Sequence, residues 1–146
     1  MATTHRAARV LIVEDDPDTL VIMRVNLQAV GLDPILAGDG RTAIARIQAE
    51  DPDVVLLDVL LPGVDGWTVL EELHEMGDPV PVIMCSGKNN PEDIQRARDL
   101  GAVAYLVKPF DIDRLIDVTT EAARVRQRPD IWLGGRQRSV EGLDLA

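Results

Sequence analysis

Val54-Val55-Leu56-Leu57-Asp58 sets four apolar residues in an unbroken row and closes the row with a carboxylate. A run this short has strand length, and its lack of alternation suits a strand covered on both faces, the situation of an inner strand in a parallel sheet. Four further runs lie on either side: Val10-Leu-Ile-Val13, Pro34-Ile-Leu-Ala37, Val80-Pro-Val-Ile-Met84 and Val103-Ala-Tyr-Leu-Val107. Helical spacing fills the gaps. After the first run come Leu20, Met23, Leu27 and Val30, with Asp16 placed as N-cap, Pro17 at N1 and Gly31 past the end. Ala43 with Ile47, Val69 with Leu73 and Met76, Ile94 with Ala97, and Leu115 with Val118 and Ala122 supply four more amphipathic segments.

Strict βα alternation with right-handed crossovers predicts an α/β doubly wound (βα)5 three-layer sandwich. Its parallel five-stranded sheet would take the flavodoxin-like order 2-1-3-4-5. The 146 residues, 46% hydrophobic and 27% charged, fit one domain large enough to bury its own core. A single cysteine, Cys85, cannot form an internal disulfide, and Met1 to Val10 holds no apolar stretch of signal-peptide length, so a reducing, cytoplasmic setting is expected. No apolar run approaches the ~18 residues needed to span a bilayer.

Residues 124 to 146 carry +2 of the net −10, leaving −12 on residues 1 to 123. A body that acidic argues against gripping nucleic acid, and one Phe, one Tyr and two Trp give no base-stacking platform.

In doubly wound sheets ligands sit at the carboxyl ends of the strands, so the residues directly after each run are the candidates. These are Glu14, Asp15 and Asp16 after the first, Asp58 after the third, Ser86 and Gly87 after the fourth, and Lys108 and Pro109 after the fifth. Carboxylates gathered on one rim repel, and a hard divalent cation resolves the conflict; Mg²⁺ fits, since it takes one or two carboxylates and favours phosphate oxygens. His5 and His74 are isolated and offer no zinc site. Asp16 reads as the helix cap rather than a ligand. Ser86 lacks the Gly-x-Ser-x-Gly elbow of a hydrolase, and neither GxxxxGK[ST] nor GxGxxG occurs. A small phosphodonor or another protein's phosphoryl group suits the rim better than ATP.

Four stretches carry a resemblance to the receiver domains of bacterial two-component response regulators, similar to the single-domain chemotaxis type, over about residues 8 to 126. They are Val13-Glu14-Asp15-Asp16, Leu57-Asp58-Val59-Leu60-Leu61-Pro62-Gly63-Val64-Asp65-Gly66, Met84-Cys85-Ser86-Gly87, and Gly101 to Phe110. The resemblance implies that Asp58 is the phosphoacceptor, taking a phosphoryl group from a sensor histidine kinase, a phosphotransfer protein or a small acyl phosphate. It implies Asp15 as the direct Mg²⁺ ligand and Glu14 as one acting through water, with Asp58 and the Leu60 backbone carbonyl completing the set. Lys108 would pair with the phosphoryl group, Pro109 would follow a cis peptide, and Ser86 with Tyr105 would form the switch pair. Gly87 would leave the phosphoryl open to water.

The implied output surface is the Ile94 helix, the fifth strand and the Leu115 helix, directed at a downstream protein partner. A homodimer through that surface is left open. Receivers with winged-helix output typically carry Gly-Ala-Asp-Asp-Tyr in the fifth strand, whereas Val103 and Ala104 stand here, so a more apolar face is expected.

Residues 1–7 read as an N-terminal arm and 127–146 as a tail or linker without its own core. That tail is too short for a DNA-binding domain. Disorder is the expectation for it, with Trp132 and Leu133 open to docking on the body or a partner. The alternatives to a stand-alone receiver are the amino-terminal part of a longer DNA-binding regulator and a Mg²⁺-dependent aspartyl phosphatase. The phosphatase is disfavoured because Leu60 stands where its second aspartate is needed. A flavin-binding module ranks last, for want of a phosphate-cradling loop.

Overall fold

Five strands and five helices alternate along the chain in a computed structural model that describes residues 7–125 together with 132 and 133. The strands are β1 (Arg9–Val13), β2 (Asp33–Ala37), β3 (Val54–Asp58), β4 (Val82–Ser86) and β5 (Ala104–Val107). The helices are α1 (Pro17–Ala29), α2 (Gly40–Glu50), α3 (Gly66–Met76), α4 (Pro91–Asp99) and α5 (Ile112–Arg124). All pairings are parallel and the sheet order is β2-β1-β3-β4-β5, as the alternation of elements requires.

Each inner strand sends alternate side chains to opposite faces. Leu11, Val13, Val55, Leu57, Val82 and Met84 pack under α2, α3 and α4. Val10, Ile12, Val54, Leu56, Ile83 and Cys85 pack under α1 and α5. Every residue of β3 and β4 is buried, which is why those runs show no alternation of polarity. Helix starts are fixed by aspartates: Asp16, Asp39 and Asp65 each accept a hydrogen bond from the backbone N–H three residues on, at 2.8–3.0 Å. Such caps contribute about 1 kcal/mol each. They also start α1 and α3 directly beside the rim of the sheet.

Three local expectations need correction. The fourth strand opens at Val82 and not Val80, because Pro81 has no N–H to give the ladder, although its carbonyl still accepts from Val55 at 2.9 Å. Val30 and Met76 are about half exposed, since α1 and α3 turn Met23–Leu27 and Val69–Leu73 inward and leave their last apolar residue outside. Trp132 and Leu133 are not solvated: both are buried in the body. The expected arm lies outside the described residues except for Ala7, as does the tail except for this pair.

Candidate functional site

The register of the sheet assembles the rim. Asp58 pairs with Cys85, Ser86 with Val107, Val13 with Leu57, and the N–H of Glu14 donates to the Ala37 carbonyl at 3.1 Å, so all five strands end at about one level. Beyond β5 the Lys108 N–H donates to the Ser86 carbonyl at 2.7 Å, which turns the lysine toward the carboxylates. The Lys108–Pro109 peptide is cis.

Glu14, Asp15 and Asp58 each offer a carboxylate oxygen, and these oxygens lie within 4.8 Å of one another. Glu14 and Asp58 are buried while Asp15 faces solvent. One Glu14 oxygen accepts from the Asp16 N–H at 3.1 Å, and the other from the Lys108 ammonium at 2.7 Å. That ammonium also stands 3.1 Å from Asp58. The three carboxylates, Leu60 and Lys108 border an open cleft of about 600 Å³, whose wall also includes Asp16, Thr19 and Asp65. Asp16 spends its side chain on the α1 cap, accepting from both the Thr19 N–H and hydroxyl.

Charge crowding is visible in the titration of the cluster. Burial pushes the Asp58 carboxyl up to about 6, the Glu14 charge adds to the rise, and Lys108 opposes it. For Lys108 burial acts downward, but the bond to Glu14 and the Asp58 charge outweigh it and hold the ammonium above its ordinary value. The two shifts describe one deficit, an acid cluster with a single positive charge against it. Hard oxygen donors at this spacing, short of positive charge and open to solvent on one side, suit Mg²⁺.

The remaining predicted residues lie beside the cleft. The buried Ser86 hydroxyl accepts from the Lys88 N–H at 3.1 Å, and the Lys88 carbonyl accepts from the Tyr105 hydroxyl at 2.8 Å. Tyr105 is wholly buried, turned into the α4 layer, and burial pushes its phenol up against the opposing Ser86 contact. A Cβ added at Gly87 would meet nothing within 4 Å, so the approach past it is open. Lys88 is the residue that reading just past each apolar run missed; it lies four positions beyond Met84, where the fourth run ends in the sequence, and joins Ser86 to Tyr105 through its backbone alone.

Gly66 is dictated by close approach. A Cβ there would sit 2.2 Å from the Asp58 carbonyl oxygen and 2.8 Å from the Val59 Cα. Only glycine lets the start of α3 pass the strand that carries the central carboxylate.

On the surface expected to be more apolar, Val103 and Ala104 are fully buried and present nothing outward. They belong to the α5-side core, and Leu133 is part of the same cluster.

Residues 10–120 match the family described as the response regulator receiver domain. The chain is 40% identical over 138 residues to the transcriptional activator protein IrlR of Burkholderia pseudomallei, a match covering 94% of this chain and 56% of that protein. It is 34% identical over 102 residues to the alkaline phosphatase synthesis transcriptional regulatory protein PhoP of Bacillus subtilis, covering 70% and 42%. The chain thus spans about half the length of these curated relatives. Among solved structures it is similar to chemotaxis protein CheY4 of Vibrio cholerae, with a TM-score of 0.75 and 28% identity over 80% of this chain and 99% of that one. The receiver domain of Francisella response regulator 1452 gives a TM-score of 0.78 and 29% identity over 80% and 97%.

Proposed function

The chain belongs to the response regulator receiver domain family, and from that premise we propose that it is a two-component phosphoacceptor switch working through Asp58. The observation that carries this is the placing of a buried aspartate at the end of the central strand, between a carboxylate pair and the Lys108 ammonium at 3.1 Å. A carboxylate oxygen of Asp58 attacks the phosphorus of a phosphohistidine on a sensor kinase or phosphotransfer protein. The P–N bond breaks, the imidazole leaves, and Asp58 carries an acyl phosphate.

Glu14, Asp15, Asp58 and the Leu60 carbonyl would hold Mg²⁺, which would supply positive charge against the transferred oxygens. Lys108 gives up part of its contact with Glu14 to hold a phosphoryl oxygen, Ser86 offers its hydroxyl to another, and Pro109 fixes the direction of the lysine. Positioning and electrostatics are most of what such a transfer needs. With no side chain at Gly87 and Leu60 in the place of a second acid, water reaches the phosphoryl but is not activated, so self-dephosphorylation is slow and turnover of small donors is limited to self-modification. Tyr105, bonded to the Lys88 carbonyl, transmits the loop's position to the α4–β5–α5 face, where a downstream protein partner or a second copy reads it. The setting proposed is cytoplasmic, with residues 8–126 as the receiver.

A second reading is the receiver part of a longer DNA-binding transcriptional regulator. It is favoured by the IrlR match, which takes in nearly all of this chain and little more than half of that protein. Transcript and reading-frame mapping past Ala146 separates the two. The phosphoacceptor reading is tested by transfer from a labelled histidine kinase: the label on this chain should be released by hydroxylamine, as an acyl phosphate is, and a hydroxylamine-stable label would overturn it.

A further inference from the structure

Trp132 and Leu133 follow α5 in sequence yet are 7% and 1% exposed. They enter opposite layers of the molecule. Trp132 joins the apolar cluster that holds Ile94, Ala97 and Tyr105, and Leu133 the one that holds Val103, Ala104 and Leu115. Two consecutive residues reach both layers only where the segment passes a border of the sheet, and the border flanked by these clusters is β5. The Leu133 N–H donates to the carbonyl of Val103, the residue just before β5. On α4 the Arg98 guanidinium lies 5.5 Å from the centroid of the Trp132 ring.

An uncovered edge strand is a template for pairing with another chain, and covering it is one of the ways proteins prevent that. The Trp132 indole N–H is buried without an acceptor, so its desolvation is uncompensated. Apolar burial and one backbone bond therefore work against an orphaned donor, which is the balance of a contact that opens without unfolding the domain. Opening would bare the β5 border and free Arg98, whose charge is opposite to that of the exposed Asp113 and Asp117 on α5. A twofold pairing can set those groups against each other.

We propose that Trp132–Leu133 is a releasable cover that closes the β5 border against a second copy of this chain. The proposal deepens the receiver reading, which assigns output to this face, but neither readout below involves Asp58, so the two can fail separately. In the full chain, hydrogen exchange of the Leu133 N–H should run at least tenfold faster than that of the β4 amides, through an opening that leaves β4 closed. Exchange of Leu133 only together with β4 would make the pair fixed core and overturn the proposal. In sedimentation of Trp132→Ser/Leu133→Ser, folded by circular dichroism, the dimer should form at least tenfold more tightly than in the unsubstituted chain. A folded variant no more associated than the unsubstituted chain would likewise overturn it. Should the variant not fold, the exchange measurement decides.

Discussion

Lys108 and Glu14, 94 residues apart in sequence, meet at 2.7 Å, and the glutamate is almost wholly buried. That contact ties β5 to β1 across the two strands between them and sets one cation against both the Glu14 and the Asp58 carboxylates. Lys108→Ala leaves both carboxylates without it. The metal-free protein should lose about 2 kcal/mol, since removing one partner of a buried pair strands the other's charge. Millimolar Mg²⁺ should restore part of that loss. Urea unfolding with EDTA and with Mg²⁺ checks both; an unchanged midpoint in EDTA would show that Lys108 is not the counter-ion.

Asp58 gives the pH dependence its sign. Its carboxyl is raised from 3.8 to about 6, so between those values the folded chain binds the proton more tightly than the unfolded chain. The group therefore costs stability that appears as pH rises through this window and is absent below it. Metal-free Asp58→Asn should be more stable than the unsubstituted chain at pH 7.5, on the order of 1 kcal/mol. That margin should shrink toward pH 4, as denaturant unfolding at both values will show; a margin that is flat or reversed contradicts the assignment.

Asp15 faces solvent and has no hydrogen bond among those found in the cluster, so its contribution is to the ion rather than to the fold. Asp15→Ala should weaken Mg²⁺ binding by roughly tenfold or more while leaving thermal stability in EDTA nearly unchanged, because exposed substitutions stay within about 0.5 kcal/mol. Mg²⁺ titration followed by amide chemical shifts at the rim reads the affinity. Equal affinity in the variant would remove Asp15 from the ligand set.

Gly66→Ala forces a Cβ to within 2.2 Å of the Asp58 carbonyl, a backbone atom that cannot swing away. The expected cost is roughly 3 kcal/mol, the upper range for overpacking, with a loss of Mg²⁺ affinity as β3 shifts. Gly87→Ala meets open space and should cost under about 0.5 kcal/mol. Parallel melts of the two variants make the comparison.

Much of this was legible from residue order. Unbroken runs such as Val54 to Leu57 announce strands covered on both faces, and reading just past each run found the three clustered carboxylates, Glu14, Asp15 and Asp58, though not Asp65 on the cleft wall. The gaps have physical causes. Pro81 shortens β4 because a missing N–H counts in a ladder and not in a hydropathy pattern. Lys88 was missed because it acts through its backbone, where side-chain chemistry leaves no trace. Trp132 and Leu133 gave no periodicity to read, since two residues are too few for one. The clue was at the start of β5: Val103, just before it, and Ala104, its first residue, are apolar at the edge of a sheet and call for apolar cover.

The central claim is that Asp58 accepts a phosphoryl group in a reaction that depends on Mg²⁺. Intact-protein mass spectrometry after incubation with acetyl phosphate, with and without Mg²⁺ and beside Asp58→Asn, tests it most directly. One added phosphoryl group, present only with Mg²⁺ and only when Asp58 is there, is the predicted result. Modification that persists in Asp58→Asn, or that forms equally well in EDTA, would contradict the account.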